Sequence, residues 1–267
     1  MIAQANGIRM RYTLEGPSSA PVMTLSHALA TNLAMWNPQM EMLASRFRVL
    51  RYDIRGHGGS DVPEGPYTVQ QMAEDVASLL EVLEIDRTYF MGISMGGMIG
   101  QVLALNHSPK LTALILCDTT SRIPPEGRSV WEGRIRTAMT RGMEPHVEPS
   151  IEMWFTPLFR SRRPGILQRM RAMFRATSPK GYVGCCQAIQ GLDITDRIRA
   201  ITLPTLIIVG EHDPGTPVSD SETIHEQIRG SDLVVLSSAS HLSNIEQPKA
   251  FNQAVVDFLS KIESGNR

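Results

Sequence analysis

The 267-residue chain has only three cysteines, Cys117, Cys185 and Cys186. An odd number with two adjacent suits neither a disulfide framework nor a zinc knuckle, so the thiols are expected to be reduced and structural, in a cytoplasmic protein. Charge of one sign is also lacking: 26 basic and 27 acidic residues leave a formal net charge of -1, which argues against a nucleic-acid partner or a polybasic membrane anchor. No apolar run approaches the roughly 20 residues that a membrane-spanning helix needs. The amino terminus, "MIAQANGIRMRYTLEG", has no basic flank leading into an apolar stretch, so no leader and no membrane partner are expected. The seven histidines nowhere cluster at metal-ligand spacing, and neither a metal nor an organic cofactor is implied. Internal repeats and low-complexity tracts are absent. What these absences leave is a chain of the size of one α/β domain, with a core large enough to hold a recessed site.

Short apolar runs alternate with segments of helical period. "VMTLS" (22–26), "RVLRYD" (48–53), "TYFMG" (88–92), "TALILCD" (112–118), "TLIIVG" (205–210) and "DLVVLS" (232–237) read as strands buried on both faces. Residues 68–85 place Met72, Val76, Leu79, Leu80 and Leu83 on one helical face, and the residues after Ser94 read as another helix. Such alternation predicts an α/β fold, a mostly parallel sheet with helices on both faces. It stops near residue 122. From there to about residue 201 the chain shows helical pattern without a strand, which predicts a core of 1–121 and 202–267 with a helical lid inserted at 122–201.

Gly92, Ile93, Ser94, Met95 and Gly96 form G-x-S-x-G between an expected strand and an expected helix. In that context the motif makes a sharp turn that exposes the serine oxygen at a helix amino terminus, where negative charge is favoured. A serine hydroxyl needs a histidine to take its proton and a carboxylate to orient that histidine. In such folds the order is serine, acid, histidine, with the histidine after the last strand, and His241 is the histidine there. Two aspartates end strands suitably: Asp213 after "TLIIVGEH" and Asp118 after "TALILC". Chain order favours Asp213 over Asp118. Two backbone N–H donors for an oxyanion are expected from Met95 and from "SHALATN", with Leu29 the candidate there and His27 ordering the loop.

The stretches "TNLAMWNPQM", "FRVLRYDIRGHGGSDVPEGPYTVQQMAEDV", "GISMGGMIGQ", "VGEHDPGTP" and "SHLSNIEQPKAF" resemble the α/β-hydrolases, in particular the 3-oxoadipate enol-lactonase group. The resemblance implies an α/β-hydrolase fold with a helical cap, a catalytic triad of Ser94, Asp213 and His241, an oxyanion hole at Leu29 and Met95, and a small ester or lactone as substrate. The chain departs from that group in "SHALAT", where an Asn-Ser-Leu-Gly pattern is usual, and at Asp118–Thr119, where Asn-Thr is usual. Both departures fall near the expected pocket mouth and leave other substrates open: those of a broad carboxylesterase, an acyl-homoserine lactonase or a carbon–carbon bond hydrolase. A binding module that keeps the triad without turnover also stays open.

Between Arg122 and Arg175 stand eleven arginines and no lysine or aspartate, against five glutamates. Most such side chains face water. A few facing a cleft would steer an anionic substrate. His27, Trp36, Trp131, Trp154 and Phe155 are the expected pocket wall, and the methionines of the insertion suggest an adaptable lining. Oligomeric state is not readable from the sequence.

Overall fold

The computed structural model describes residues 1–265. An amino-terminal hairpin, β1 (Ile2–Ala5) and β2 (Ile8–Glu15), precedes β3 (Val22–Ser26), α1 (Asn37–Ala44), β4 (Arg48–Tyr52), α2 (Val69–Val82), β5 (Thr88–Ile93), α3 (Met95–Asn106) and β6 (Leu111–Cys117). Five helices follow: α4 (Arg128–Arg141), α5 (Glu144–Trp154), α6 (Pro157–Arg162), α7 (Pro164–Arg175) and α8 (Pro179–Gln190). The chain then returns through β7 (Thr205–Gly210), α9 (Val218–Gln227), β8 (Asp232–Leu236), α10 (Ser243–Glu246) and α11 (Pro248–Glu263).

The eight strands form one sheet in the order β1-β2-β4-β3-β5-β6-β7-β8. β1 and β2 pair antiparallel with their neighbours, and the six strands from β4 to β8 run parallel. All six runs expected as strands pair in this sheet. The hairpin was not expected, because Arg9 and Arg11 interrupt its apolar character. Their side chains point outward while Ile8 and Met10 point in. β8 differs from expectation in another way: as the edge strand it is half-exposed, with Val235 open to solvent, and is not buried on both faces.

Capping residues set where the helices begin. Thr68 accepts from Gln71 N at the start of α2, and Ser178 caps α8 just before Pro179, whose missing N–H costs nothing in a first turn. α2 packs on α3, and α1 on α11. Within the α4–α8 segment, α4 packs on α8 and α5 on α7. The two ends of this segment are held together by an isolated antiparallel backbone pairing of Arg122 with Asp193, by Ile194 N donating to Ser121 O, and by the Ser121 and Thr195 hydroxyls 2.7 Å apart. Arg55, after β4, forms a bidentate ion pair with Asp75 of α2, and both side chains are buried. The three cysteines are free and buried. Among the described residues no helix is long and apolar enough to cross a membrane.

Candidate active site

β5 runs into α3 through Ser94, whose φ of 55° and ψ of -118° are unfavourable for a residue with a side chain. The glycines of the motif make that geometry possible. A Cβ on Gly92 would lie 2.1 Å from Gly96 O, and one on Gly96 would lie 2.2 Å from Ser26 O. The turn is held by Ser94 N donating to Cys117 O and by the Thr119 hydroxyl donating to Ser94 O. The serine side chain is thereby lifted off the end of the sheet.

His241 lies in the loop after β8, with Nε2 2.9 Å from Ser94 Oγ and Nδ1 2.8 Å from Asp213 Oδ2. Ser240 Oγ donates to Met153 O and Leu242 N donates to Trp154 O, so the histidine loop is pinned on both sides to α5. The Asp213 carboxylate accepts from Gly215 N and Thr216 N on one oxygen, and from the Thr216 hydroxyl on the oxygen that faces His241. Burial pushes the Asp213 carboxyl up, but the His241 charge and these hydrogen bonds pull it below the ordinary range. Burial likewise pulls the His241 imidazole down, yet the charge and hydrogen bond of Asp213 outweigh it and raise the group above its ordinary 6.5. A histidine in that state is a better base and a more stable imidazolium.

Asp118 is close by but does different work. Its Oδ1 accepts from Gly210 N at 2.8 Å, and its Oδ2 accepts from Ser243 Oγ at 2.5 Å. It therefore ties the ends of β6 and β7 to the helix that follows His241, and burial, with the Asp213 charge, holds its carboxyl well above the usual range.

The loop after β3 carries Leu29. Its neighbours' N–H groups are occupied: Ala28 N donates to Met35 Sδ and Ala30 N to His57 Nε2. Leu29 N has no acceptor among the described residues, and neither does Met95 N in the first turn of α3, where free N–H groups are expected. Leu29 and Ser94 border the same cavity. Across the loops, His27 Nε2 accepts from Ile54 N. Two buried imidazoles thus cross-tie this loop and the one after β4. Burial lowers His27 to about 4 and His57 to about 3, so both remain neutral acceptors.

The cavity above Ser94 has a volume of about 430 Å³, and α4, α5, α7 and α8 all contribute to its wall. Trp131 and Trp154 line it. Three residues expected there do not. His27 is fully buried beneath the loop it orders. Trp36 is a core residue packed on Phe251. Phe155 turns away to stack on Phe159, 4.9 Å between ring centres, and borders a separate surface groove. Aromatic identity alone does not tell a cavity wall from a core. Met153, one of the methionines read as an adaptable lining, borders the cavity, whereas Thr216, Arg134 and Tyr182 were not singled out by sequence. Of these three a signal existed only for Thr216, which sits three residues after Asp213 as an aspartate turn partner.

Residues 21–248 match the family model described as alpha/beta hydrolase fold. The chain belongs to the α/β-hydrolase family. It is 37% identical over 251 residues to 3-oxoadipate enol-lactonase 2 of Acinetobacter baylyi, covering 94% of this chain and 93% of that one. Among solved structures it resembles the enol-lactonase of Burkholderia xenovorans at 40% identity and a TM-score of 0.94, with 97% and 100% of the two chains covered. A thermophilic esterase of Thermogutta terrifontis superposes with a TM-score of 0.91 at 29% identity, with 98% of each chain covered. The hydrolase thus has both lactonase and esterase relatives.

Proposed function

We propose that this hydrolase opens carboxylic lactones or esters through an acyl-enzyme on Ser94, with an enol-lactone as the best candidate substrate. One observation carries the reading: a serine oxygen on a strained turn lies 2.9 Å from an imidazole whose other nitrogen lies 2.8 Å from a buried carboxylate. The enol-lactonase relatives at 37% and 34% identity support the substrate class.

In this reading Ser94 Oγ attacks the carbonyl carbon as its proton passes to His241 Nε2. Asp213 holds Nδ1–H, fixing the tautomer that leaves Nε2 free to accept and stabilising the imidazolium once it forms. The carbonyl oxygen becomes an oxyanion facing Leu29 N–H and Met95 N–H, donors already in place before the charge develops. When the intermediate collapses, the ring C–O bond breaks and His241 returns its proton to the departing oxygen. From an enol-lactone that oxygen leaves as an enol, which settles as a ketone, so the opened chain stays attached to Ser94 as an ester. His241 then takes a proton from water as its oxygen attacks the acyl carbon, and when this second intermediate collapses the C–Oγ bond breaks, His241 returns the proton to Ser94 Oγ, and the acid is released. The α4–α8 segment acts as the cap that walls the reacting carbonyl from solvent.

The test compares kcat/KM for the enol-lactone of 3-oxoadipate, a simple lactone, an acyl-homoserine lactone and a short aryl ester. A preference of at least tenfold for the enol-lactone is expected. A flat profile identifies a general esterase, and turnover by Ser94→Ala equal to wild type overturns the serine mechanism.

A further inference from the structure

Helices α4–α8 pack chiefly on one another: α4 on α8 and α5, α5 on α7, and α6 on α7. Where α6 and α7 face the core the packing is open. A groove of about 520 Å³ lies there, walled by Phe159, Met170 and Met173 on one side and by Met35 and Ile245 on the other. Side chains that line a gap lose the contacts a filled interior gives, so apolar packing leaves this end of the segment incompletely fixed and directed bonds must hold it.

Those bonds converge on one carboxylate. Glu246, the last residue of α10, is buried and borders the groove. Its Oε1 accepts from Thr156 N at 3.1 Å and from the Thr156 hydroxyl, and its Oε2 accepts from Ser240 N at 2.9 Å. Thr156 caps α6, and the same hydroxyl accepts from Phe159 N. Ser240 is the residue before His241. The Ser240 hydroxyl donates to Met153 O, and on the other side of His241, Leu242 N donates to Trp154 O. The last carbonyls of a helix find no partner within it, so the end of α5 is completed by the histidine loop. Residues 153, 154 and 156 thus run along the backbone of residues 240–242, and Met153 and Trp154 also line the cavity above Ser94.

We infer that Glu246 is a positioning residue for the hydrolysis: by bridging Thr156 to Ser240 it makes the alignment of His241 with Ser94 depend on the α5–α6 corner being seated on the core. The inference rests on the acyl-enzyme reading above and adds a requirement to it. No hydrogen bond joins Glu246 to the imidazole among the described residues, so its effect passes through the Ser240 N–H. The corner that walls the cavity and the base that works inside it then move as one. A displaced corner admits bulk water and disarms the histidine together, so the base is competent only while the cavity is closed at this corner.

The experiment uses the full chain with 4-nitrophenyl butyrate as substrate and expresses kcat per folded molecule, from urea titration and circular dichroism. Glu246→Gln sets an NH₂ against one of the donors that converge there. It should lower kcat about 30- to 100-fold, the range for hydrogen bonds to a charged group, with KM changed by less than about threefold. Thr156→Val removes the hydroxyl and should lower kcat about tenfold. Thr156→Ser, which keeps it, should restore most of that loss. Because both changes break one bridge, the double variant of Glu246→Gln and Thr156→Val should be little slower than Glu246→Gln alone. A pH–rate profile reads what stability does not. Asp213 and, more weakly, Asp118 raise the His241 imidazole against burial and the charge of Arg134, so a ring that drifts from Asp213 loses that support and the midpoint of kcat/KM should move to lower pH in Glu246→Gln. Lower stability with kcat per folded molecule and midpoint both unchanged overturns the inference, as do additive losses in the double variant. Should Glu246→Gln fail to fold, the Thr156 pair decides: a slower Thr156→Val supports the bridge, and equal kcat in Thr156→Val and Thr156→Ser overturns it. Failure of the wild type to cleave the ester overturns the acyl-enzyme reading and the inference with it.

Discussion

Replacing Asp213 by asparagine, set beside the same change at Asp118, separates the two buried carboxylates by their contacts. Asp213 accepts four hydrogen bonds: from Gly215 N, Thr216 N, the Thr216 hydroxyl and His241 Nδ1. Asparagine offers one oxygen and one NH₂ in the same volume. If the oxygen stays with the two backbone donors, the NH₂ faces His241 Nδ1 and turns it into an acceptor. The ring must then carry its proton on Nε2, pointing at Ser94, and can no longer take the serine proton. If the amide flips, two backbone donors face an NH₂ instead. Loss of the tautomer in a serine–histidine–aspartate site costs about 10⁴ in kcat, equivalent to about 5.4 kcal/mol of transition-state stabilisation. Asp118 accepts only from Gly210 N and Ser243 Oγ, on separate oxygens. There the amide oxygen keeps the first bond and the NH₂ donates to the second, so Asp118→Asn should cost less than about tenfold, the level of one rearranged hydrogen bond. The assay is kcat on a short aryl ester at neutral pH, with circular dichroism to check folding. Equal losses in the two variants, or a larger one at Asp118, would refute the reasoning.

Three further outcomes follow from the same contacts. Because the folded-state pKa of His241 is raised, the histidine stays protonated and unable to act as base until the pH passes that value, so kcat/KM should rise with pH through a midpoint above 6.5; a midpoint below 6.5, from a pH–rate profile, contradicts the dominance of the Asp213 charge over burial. Thr216→Val removes the 2.7 Å hydroxyl bond to the Asp213 oxygen that faces His241 and should lower kcat about tenfold with little change in KM, as steady-state kinetics will show. Asp75→Ala strands the buried Arg55 guanidinium and should destabilise the fold by about 3–5 kcal/mol in urea titrations, where a loss under 1 kcal/mol would mean that the charge reaches water.

The parallel core was legible because its inner strands are near-continuous apolar runs between turn residues, interrupted only by single polar residues such as Thr24 and Arg51. The amino-terminal hairpin was not, although Asn6–Gly7 carries a turn signal: both residues adopt positive φ, 46° and 77°, as a two-residue hairpin turn requires. Arg9 and Arg11 masked the period-two pattern, since they alternate with the buried Ile8 and Met10. In the site, Ser94 and His241 could be named because the strand-to-helix turn and the loop after the last strand are sequence-local features. Aspartate order favoured Asp213, whose Oδ2 lies 2.8 Å from His241 Nδ1, while Asp118 meets Gly210 N and Ser243 Oγ. Cavity walls are another matter. Trp36, Trp131, Trp154 and Phe155 differ only in which way their segments face, and that is set by packing among neighbouring elements. Arg134 is one of eleven arginines in its stretch, and what distinguishes it is its place on the cavity wall, over the Trp131 ring. Arg171 and Arg175 find carboxylate partners 23 and 31 residues away, spacings that no local pattern predicts.

Trapping the covalent intermediate tests the central claim most directly. Mixing the wild-type protein with a slowly deacylating aryl ester and quenching within the turnover time should add one acyl group to the intact mass, located by peptide mapping on Ser94, with a burst of one equivalent of phenol. Release of product with no acyl adduct on Ser94 under these conditions, together with undiminished turnover by Ser94→Ala, would contradict the account.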